Sequence, residues 1–248
     1  MNSPQRPKIQ SSAWHFYLLH LLIPLVAAFL ILFTVYMLGL DEWITRLFFD
    51  PVTQKFPLRN NWFLNFVMHN WIKYAVIALG LSVLAAYVCS FRVASLAPLR
   101  RVLLFVVLAM GLSAAAVSIV KSESPKQCPY NLKAFGGDAP YIALFERTPQ
   151  GSKPGNCWPG GHSSTGFCLM AFYFAGRHLR NRRLAYWGLF GGFGLGFILG
   201  FGRVMQGAHF LSHQLWTALI CWLTMLVLYE FLLRRQPAPE TEAALQPS

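Results

Sequence analysis

Long apolar runs separated by short polar segments dominate the pattern of the chain. Five runs approach the length of about 20 residues with which an α-helix crosses a bilayer. A sixth run is shorter, but its polar beginning extends it, because polar side chains at helix ends can reach the interface. The runs are Tyr17 to Leu40, Lys73 to Phe91, Val102 to Val120, Ser163 to Gly176, Ala185 to Phe201 and Gln214 to Leu233. We therefore predict an all-α, polytopic bundle of six transmembrane helices over residues 17–233.

Basic residues between the apolar runs predict the orientation of this bundle. The connectors 92–101 and 177–183 carry three and four arginines, and by the positive-inside rule both are cytoplasmic. With six spans, both termini then face the cytoplasm. These are a short N-terminal segment, residues 1–16, and a Pro/Ala/Glu-rich tail, residues 234–248, which we expect to be disordered.

The composition agrees with a membrane protein, since 55% of the 248 residues are hydrophobic and 12% are charged. The net charge of +12 is partly explained by topology, and no basic stretch is interleaved with a soluble binding fold, so nucleic acid is not an expected partner. Several basic residues on the outward side are not explained by topology, and together they favour an anionic substrate at the outer leaflet. They are Lys121, Lys126, Lys133, Arg147, Lys153 and Arg203.

The segment 157–164 joins an outward loop to the fourth apolar run. It contains Pro159, Gly160, Gly161, His162 and Ser163 at a predicted helix start, where free backbone N–H groups and the helix dipole favour an anion. The alternative interpretation is an ordinary turn and helix cap.

A second polar cluster follows the fifth run, where Arg203, His209 and His213 lie near the outer surface. Lys121, at the outer end of the third run, and His162 are expected to share a pocket with Arg203 and His209. Two cations, two imidazoles and a helix start suit phosphoryl transfer without a metal or other cofactor. The cations neutralise the phosphate oxygens, one imidazole attacks phosphorus and the other protonates the leaving oxygen.

These residues resemble the type 2 phosphatidic acid phosphatase superfamily, which includes lipid phosphatases and vanadium haloperoxidase-like proteins. The family has three motifs: lysine, six residues, Arg-Pro; Pro-Ser-Gly-His; and Ser-Arg, five residues, His, three residues, Asp. The resemblance covers roughly residues 121–213 and implies that Lys121 and Arg203 bind phosphate, with Gly160, Gly161 and Ser163 of the second motif nearby. It also implies that His209 is the nucleophile and His162 the general acid.

Four positions depart from the family motifs. Cys128 replaces the arginine of the first motif, Gly160 and Gly202 replace serines, and His213 replaces the aspartate that orients the nucleophile. A neutral His213 can accept a hydrogen bond from His209, but it stabilises an imidazolium less than a carboxylate does. The missing positive charge has three candidate sources, which are Lys126, Lys133 and Arg147.

Cys128 and Cys157 are the two cysteines of the outward loop, whereas Cys89, Cys168 and Cys221 lie in spans. If the loop faces the oxidising periplasm of a Gram-negative bacterium, we expect a disulfide between Cys128 and Cys157. The alternative is two unrelated loop cysteines.

Three functional hypotheses follow from these features. The first is an integral inner-membrane lipid phosphatase with its active site on the periplasmic face, and a lipid phosphate as its partner. By resemblance, its candidate substrates are undecaprenyl pyrophosphate, lipid A, phosphatidylglycerol phosphate and phosphatidic acid. The second is a phosphotransferase that uses a polyprenyl pyrophosphate donor, and the third is an inactive lipid-binding membrane protein. The oligomeric state does not follow from the sequence.

Overall fold

The structure, a computed structural model, describes residues 9–143, 146 and 154–235, with the backbone alone for residues 9–12. This part of the chain is helical and contains no β-strand. Seven helices build it: α1 (Ala13–Met37, continuing a helix that begins at Ile9), α2 (Leu40–Arg46), α3 (Phe63–Cys89), α4 (Ala94–Ser122), α5 (residues 161–178), α6 (Arg182–Met205) and α7 (Leu211–Arg234).

Five of these helices, α1, α3, α4, α6 and α7, are long and apolar enough to cross a membrane. The predicted all-α class is therefore confirmed for the described residues, with five helices that could cross a membrane. The sixth predicted run forms α5, which alternates 3-10 and α-helical turns and is not among those five.

The second span begins ten residues before the predicted Lys73, at Phe63. Hydropathy alone missed its first turns because Asn65 and His69 interrupt the apolar run. In the structure, both residues belong to α3, where Asn65 contacts Gln206, the residue after α6, and His69 contacts His162 of α5. The first span likewise begins at Ala13 and not at Tyr17.

Helix α5 lies at the centre of the bundle, where Phe167, Met170 and Phe174 are at most 2% exposed. Glycines of α6 allow its close approach to α5. A Cβ atom at Gly188 or Gly192 would lie 2.3 Å or 2.7 Å from a backbone nitrogen of α5. The glycine-rich fifth run is thus a packing surface.

The loops after α2, α4 and α6 pack on one end of the bundle around a second apolar cluster, made of Phe56, Leu132, Phe135 and Phe210. Asp41 also joins this layer to α7, because its Oδ1 accepts a hydrogen bond of 2.8 Å from the backbone N–H of Ser212. Burial raises the pKa of Asp41. Arg147, Lys153 and the tail beyond Arg235 lie outside the described residues, as do residues 1–8.

Candidate active site

Four helix termini bring the predicted site residues to one end of the bundle. Lys121 is in the last turn of α4, His162 in the first turn of α5, Arg203 in the last turn of α6, and His209 two residues before α7. Arg203 interacts electrostatically with the other three side chains. A Cβ atom at Gly161 would lie 3.3 Å from Lys121 Cδ, so the start of α5 packs directly against this lysine. The predicted convergence of these four groups therefore exists in the fold.

The turn after α6 returns His209 towards Arg203. Gly207 has a φ of +66°, and a Cβ atom there would lie 2.4 Å from the ring of Phe56. Both the left-handed conformation and the lack of space therefore require glycine. The turn is closed by a hydrogen bond of 2.9 Å from the Ala208 N–H to the Arg203 carbonyl.

His209 is 4% exposed, and its Nδ1 atom faces protein groups. It lies 3.3 Å from Nδ1 of His213 and 3.5 Å from Sγ of Cys157. Burial, helped by the neighbouring His213 ring and by the positive charges of Lys121 and Arg203, lowers the pKa of His209 well below its ordinary value. The ring is therefore neutral at pH 7, which is the form that can act as a nucleophile.

His162 is held by the beginning of α3. Its Nε2 atom lies 3.2 Å from the Met68 carbonyl oxygen, and its ring stacks on His69 with 4.1 Å between centroids. A carbonyl only accepts hydrogen bonds, so Nε2 must carry the proton in this contact and Nδ1 is left free. Lys73, one turn after His69, adds a further positive charge near His162.

Arg203 is positioned by a hydrogen-bonded chain that the sequence analysis did not foresee. Its Nη1 donates to Oε1 of Gln206 at 2.6 Å, and Gln206 Nε2 donates to Oδ1 of Asn65 at 2.9 Å and to the Arg59 carbonyl at 3.2 Å. Gln206 is 1% exposed. The guanidinium is therefore fixed relative to α3.

The cations of the site have no carboxylate partner in the described part of the chain. Ion pairs there join Arg46 with Glu42, and Arg234 and Arg235 with Glu230. Lys121 and Arg203 take part in none of them, although both are partly buried. Two unneutralised cations beside histidines make a site that favours an anion.

Two residues of the second motif, Gly160 and Ser163, use polar groups differently from what the sequence predicted. The Gly160 N–H donates to the His213 carbonyl at 3.2 Å, and the Ser163 hydroxyl donates to the Gly160 carbonyl at 2.8 Å. These two donors are engaged within the protein. The N–H groups from Gly161 onward, in the first turn of α5, are the ones positioned to bind an anion.

The proposed sources of the missing positive charge do not reach this pocket in the described residues. The Lys126 ammonium donates to the carbonyls of Ala143 and Glu146, and burial lowers its pKa. Lys133 is exposed in a loop turn, and Arg147 lies outside the described residues. Lys73, near His162, is the additional cation that the fold supplies.

Cys128 and Cys157 form a disulfide in the structure. Two backbone hydrogen bonds join the same segments, from Asn156 to Ser124 at 2.9 Å and from Cys157 to Lys126 at 3.0 Å. The loop after α4 is thereby attached to the segment that leads into α5. The Cys157 sulfur also lies close to one ring nitrogen of His209 and one of His213, all three within 4.8 Å of one another, a group that was not foreseen in the sequence.

The comparison with protein families gives one match. The model of the PAP2 superfamily matches residues 102–237, which is more than half of the chain and includes all three motifs. No curated protein and no solved structure matches the chain.

Proposed function

We propose that this chain, which belongs to the PAP2 superfamily, is an integral membrane phosphatase that removes phosphate from an outer-leaflet lipid through a phosphohistidine on His209. The proposal rests on one observation: Lys121 and Arg203 lie beside a buried, neutral His209, and neither cation pairs with a carboxylate in the described residues. The anion that these cations favour is the phosphate on which the nucleophile acts. Members of this superfamily act as phosphatases, which agrees with that chemistry.

The contacts of His209 support Nε2 as the attacking atom. Its Nδ1 faces His213 at 3.3 Å, and a hydrogen bond between two such nitrogens requires that one carries a proton and the other does not. Nδ1–H on His209 leaves the lone pair on Nε2 free for phosphorus, and His213 then accepts at its own Nδ1. His213 is therefore a positioning residue that holds the tautomer of His209.

Attack forms the Nε2–phosphorus bond and breaks the bond from phosphorus to the leaving oxygen. The leaving oxygen takes a proton from Nδ1 of His162, which for this step is the imidazolium, because its other proton, on Nε2, stays hydrogen-bonded to the Met68 carbonyl. The negative charge of the bound phosphate favours that protonated form. Water then attacks the phosphohistidine, gives its proton to His162 and releases inorganic phosphate. Lys121, Arg203 and the first N–H groups of α5 stabilise the negative charge on the phosphoryl oxygens throughout.

The helix directions support six crossings and an outward-facing site. Helices α4 and α6 end at the site, whereas α5 and α7 begin there, so the chain must cross the bundle between His162 and the start of α6. Residues 161–178 in α5 extend roughly 27 Å at 1.5 Å per residue, close to the hydrocarbon thickness. The arginine-rich connectors then lie at the opposite end, which the positive-inside rule assigns to the cytoplasm. In a Gram-negative bacterium the site would face the periplasm.

Phosphate release from lipid phosphates in detergent micelles tests the proposal. The wild type is compared with His209→Ala and with His15→Ala, which removes an exposed histidine of α1 and serves as the matched control. A lipid substrate with a labelled phosphate is expected to leave an acid-labile label on the wild type and on the control, but none on His209→Ala. Activity that persists in the presence of a metal chelator supports a metal-free reaction.

Equal phosphate release by His209→Ala and the wild type would refute the mechanism. Phosphorylated lipid product in place of inorganic phosphate would indicate the transferase alternative, because a lipid hydroxyl would then have replaced water at the phosphohistidine.

A further inference from the structure

Two separations at the proposed nucleophile match those between ligands of a tetrahedral zinc site. Nδ1 of His209 lies 3.3 Å from Nδ1 of His213 and 3.5 Å from Sγ of Cys157, and the three residues offer one ligand atom each within 4.8 Å of one another. With Zn–N of about 2.05 Å and Zn–S of about 2.3 Å, tetrahedral geometry separates two nitrogens by about 3.3 Å and a nitrogen from sulfur by about 3.6 Å. The two measured separations fit these values without movement of the ligands.

The disulfide decides whether this group can bind a metal. While Cys157 is bonded to Cys128, its sulfur has no thiolate charge and is a poor ligand. A dithiol reductant that transfers two electrons and two protons converts the disulfide into two thiols and becomes a disulfide itself. The Cys157 thiol then remains beside the two histidines, because its segment is also held by the backbone hydrogen bond to Lys126.

We propose that reduction of the Cys128–Cys157 disulfide creates a zinc-binding site formed by Cys157, His209 and His213, and that zinc bound there inhibits the enzyme. Binding releases one proton from the Cys157 thiol, whereas the two imidazoles bind as neutral ligands. Zinc on Nδ1 of His209 moves the proton of that neutral ring to Nε2, so the lone pair proposed to attack phosphorus is no longer available. The fourth coordination position is left for water or an anion, as in open zinc sites.

The positive charge of the pocket opposes this metal and gives the proposal a distinctive signature. Lys121 interacts electrostatically with both histidines, and Arg203 with His209. The thiolate offsets only part of this repulsion. We therefore expect Lys121→Gln to bind zinc more tightly than the reduced wild type, by about threefold or more. A metal bound elsewhere on the protein would not respond in this way.

Two single variants provide a matched test, because both lack the disulfide and each keeps one outer thiol. In Cys128→Ser the free thiol is Cys157, beside the histidines, whereas in Cys157→Ser it is Cys128. Cobalt(II) is used as the spectroscopic probe for zinc. Cys128→Ser is expected to bind one cobalt per chain, with a thiolate charge-transfer band and tetrahedral d–d bands. Cys157→Ser is expected to show neither and to bind at least about tenfold more weakly.

The wild type gives an independent measurement that does not depend on the folding of either variant. Oxidised protein should lack the cobalt bands, and addition of a dithiol followed by its removal should produce them. Identical spectra of oxidised and reduced wild type, or of the two serine variants, would overturn the proposed site.

Zinc inhibition of phosphate release is measured on the same samples. It rests on the proposed role of His209, whereas the cobalt spectrum does not. Cobalt bands without zinc inhibition would therefore overturn the inhibitory half of the proposal and count against His209 as the nucleophile, while leaving the metal site in place.

Discussion

His213→Asp is expected to make the enzyme faster, because it supplies the carboxylate that the motif lacks beside His209. Oδ1 of aspartate is separated from Cβ by the same two bonds as Nδ1 of histidine, so it falls close to the position now 3.3 Å from His209 Nδ1. At that distance, a full positive charge on His209 and the carboxylate attract each other by about 5 kcal/mol at an effective dielectric constant of about 20.

Only part of this attraction accelerates the reaction. The cost of burying the carboxylate is present in both the ground state and the transition state, whereas the imidazolium charge forms only as phosphorus is attacked. If about half of that charge has developed, the transition state is stabilised by about 2.5 kcal/mol, which corresponds to about a 70-fold increase in kcat. His213→Asn is the matched control, since it has the same shape without the charge, and it should be no faster than the wild type.

The pH dependence provides a second measurement on the same variants. The new carboxylate should raise the pKa of His209 relative to its depressed wild-type value, so activity should fall at a higher pH as the solution is acidified. The assay is phosphate release at saturating lipid phosphate from about pH 5 to about pH 9, with thermal unfolding as the check on folding. If His213→Asp is no faster than His213→Asn at any pH, His213 does not occupy the orienting position.

Three further predictions use other features of the fold. In the wild type, the depressed pKa of His209 keeps the ring neutral in mild acid. After correction for protonation of the substrate, which is measured separately, the rate should therefore not fall near the ordinary histidine pKa of about 6.5. Gly188→Ala should destabilise the protein by about 1 to 3 kcal/mol, because its Cβ would lie 2.3 Å from the α5 backbone, whereas Gly191→Ala, with nothing within 4 Å, should leave the midpoint of thermal unfolding nearly unchanged. Lys121→Met should raise the thermal midpoint of the unliganded protein but reduce the rise in that midpoint that phosphate causes. Lys133→Met, at an exposed lysine, is the control and should change neither the midpoint nor its rise with phosphate.

The pattern of apolar runs was sufficient for the helical membrane class but not for every helix boundary. Asn65 and His69 lower the hydropathy at the start of α3, and their partners, Gln206 and His162, are distant in sequence. A local average therefore treats these residues as loop, although long-range contacts stabilise them in a helix.

The site, too, could be predicted from the sequence only in part, because local patterns do not contain the long-range contacts that complete it. Motif spacing identified Lys121, His162, Arg203 and His209, which the fold brings to one end of the bundle. The Gln206 chain that fixes Arg203 depends on tertiary contacts that no spacing encodes. An ionisable residue inside an apolar run, such as His69, is the signal that could have found the partner of His162.

In the described part of the chain, no carboxylate pairs with Lys121 or Arg203, and this links the stability of the protein to its proposed function. A partly buried cation without a counter-ion is unfavourable in the unliganded fold, and a bound phosphate removes that cost. An aspartate paired with either cation would stabilise the empty protein, but it would also compete with the substrate for the same charge. The neutral His213 orients His209 without such competition, at the expense of weaker stabilisation of the imidazolium. In the proposed mechanism, the departure at residue 213 thus lowers the rate at His209 but leaves the affinity of the pocket for an anion unopposed. For this reason His213→Asp is expected to raise kcat, whereas Lys121→Met is expected to weaken the stabilisation by phosphate.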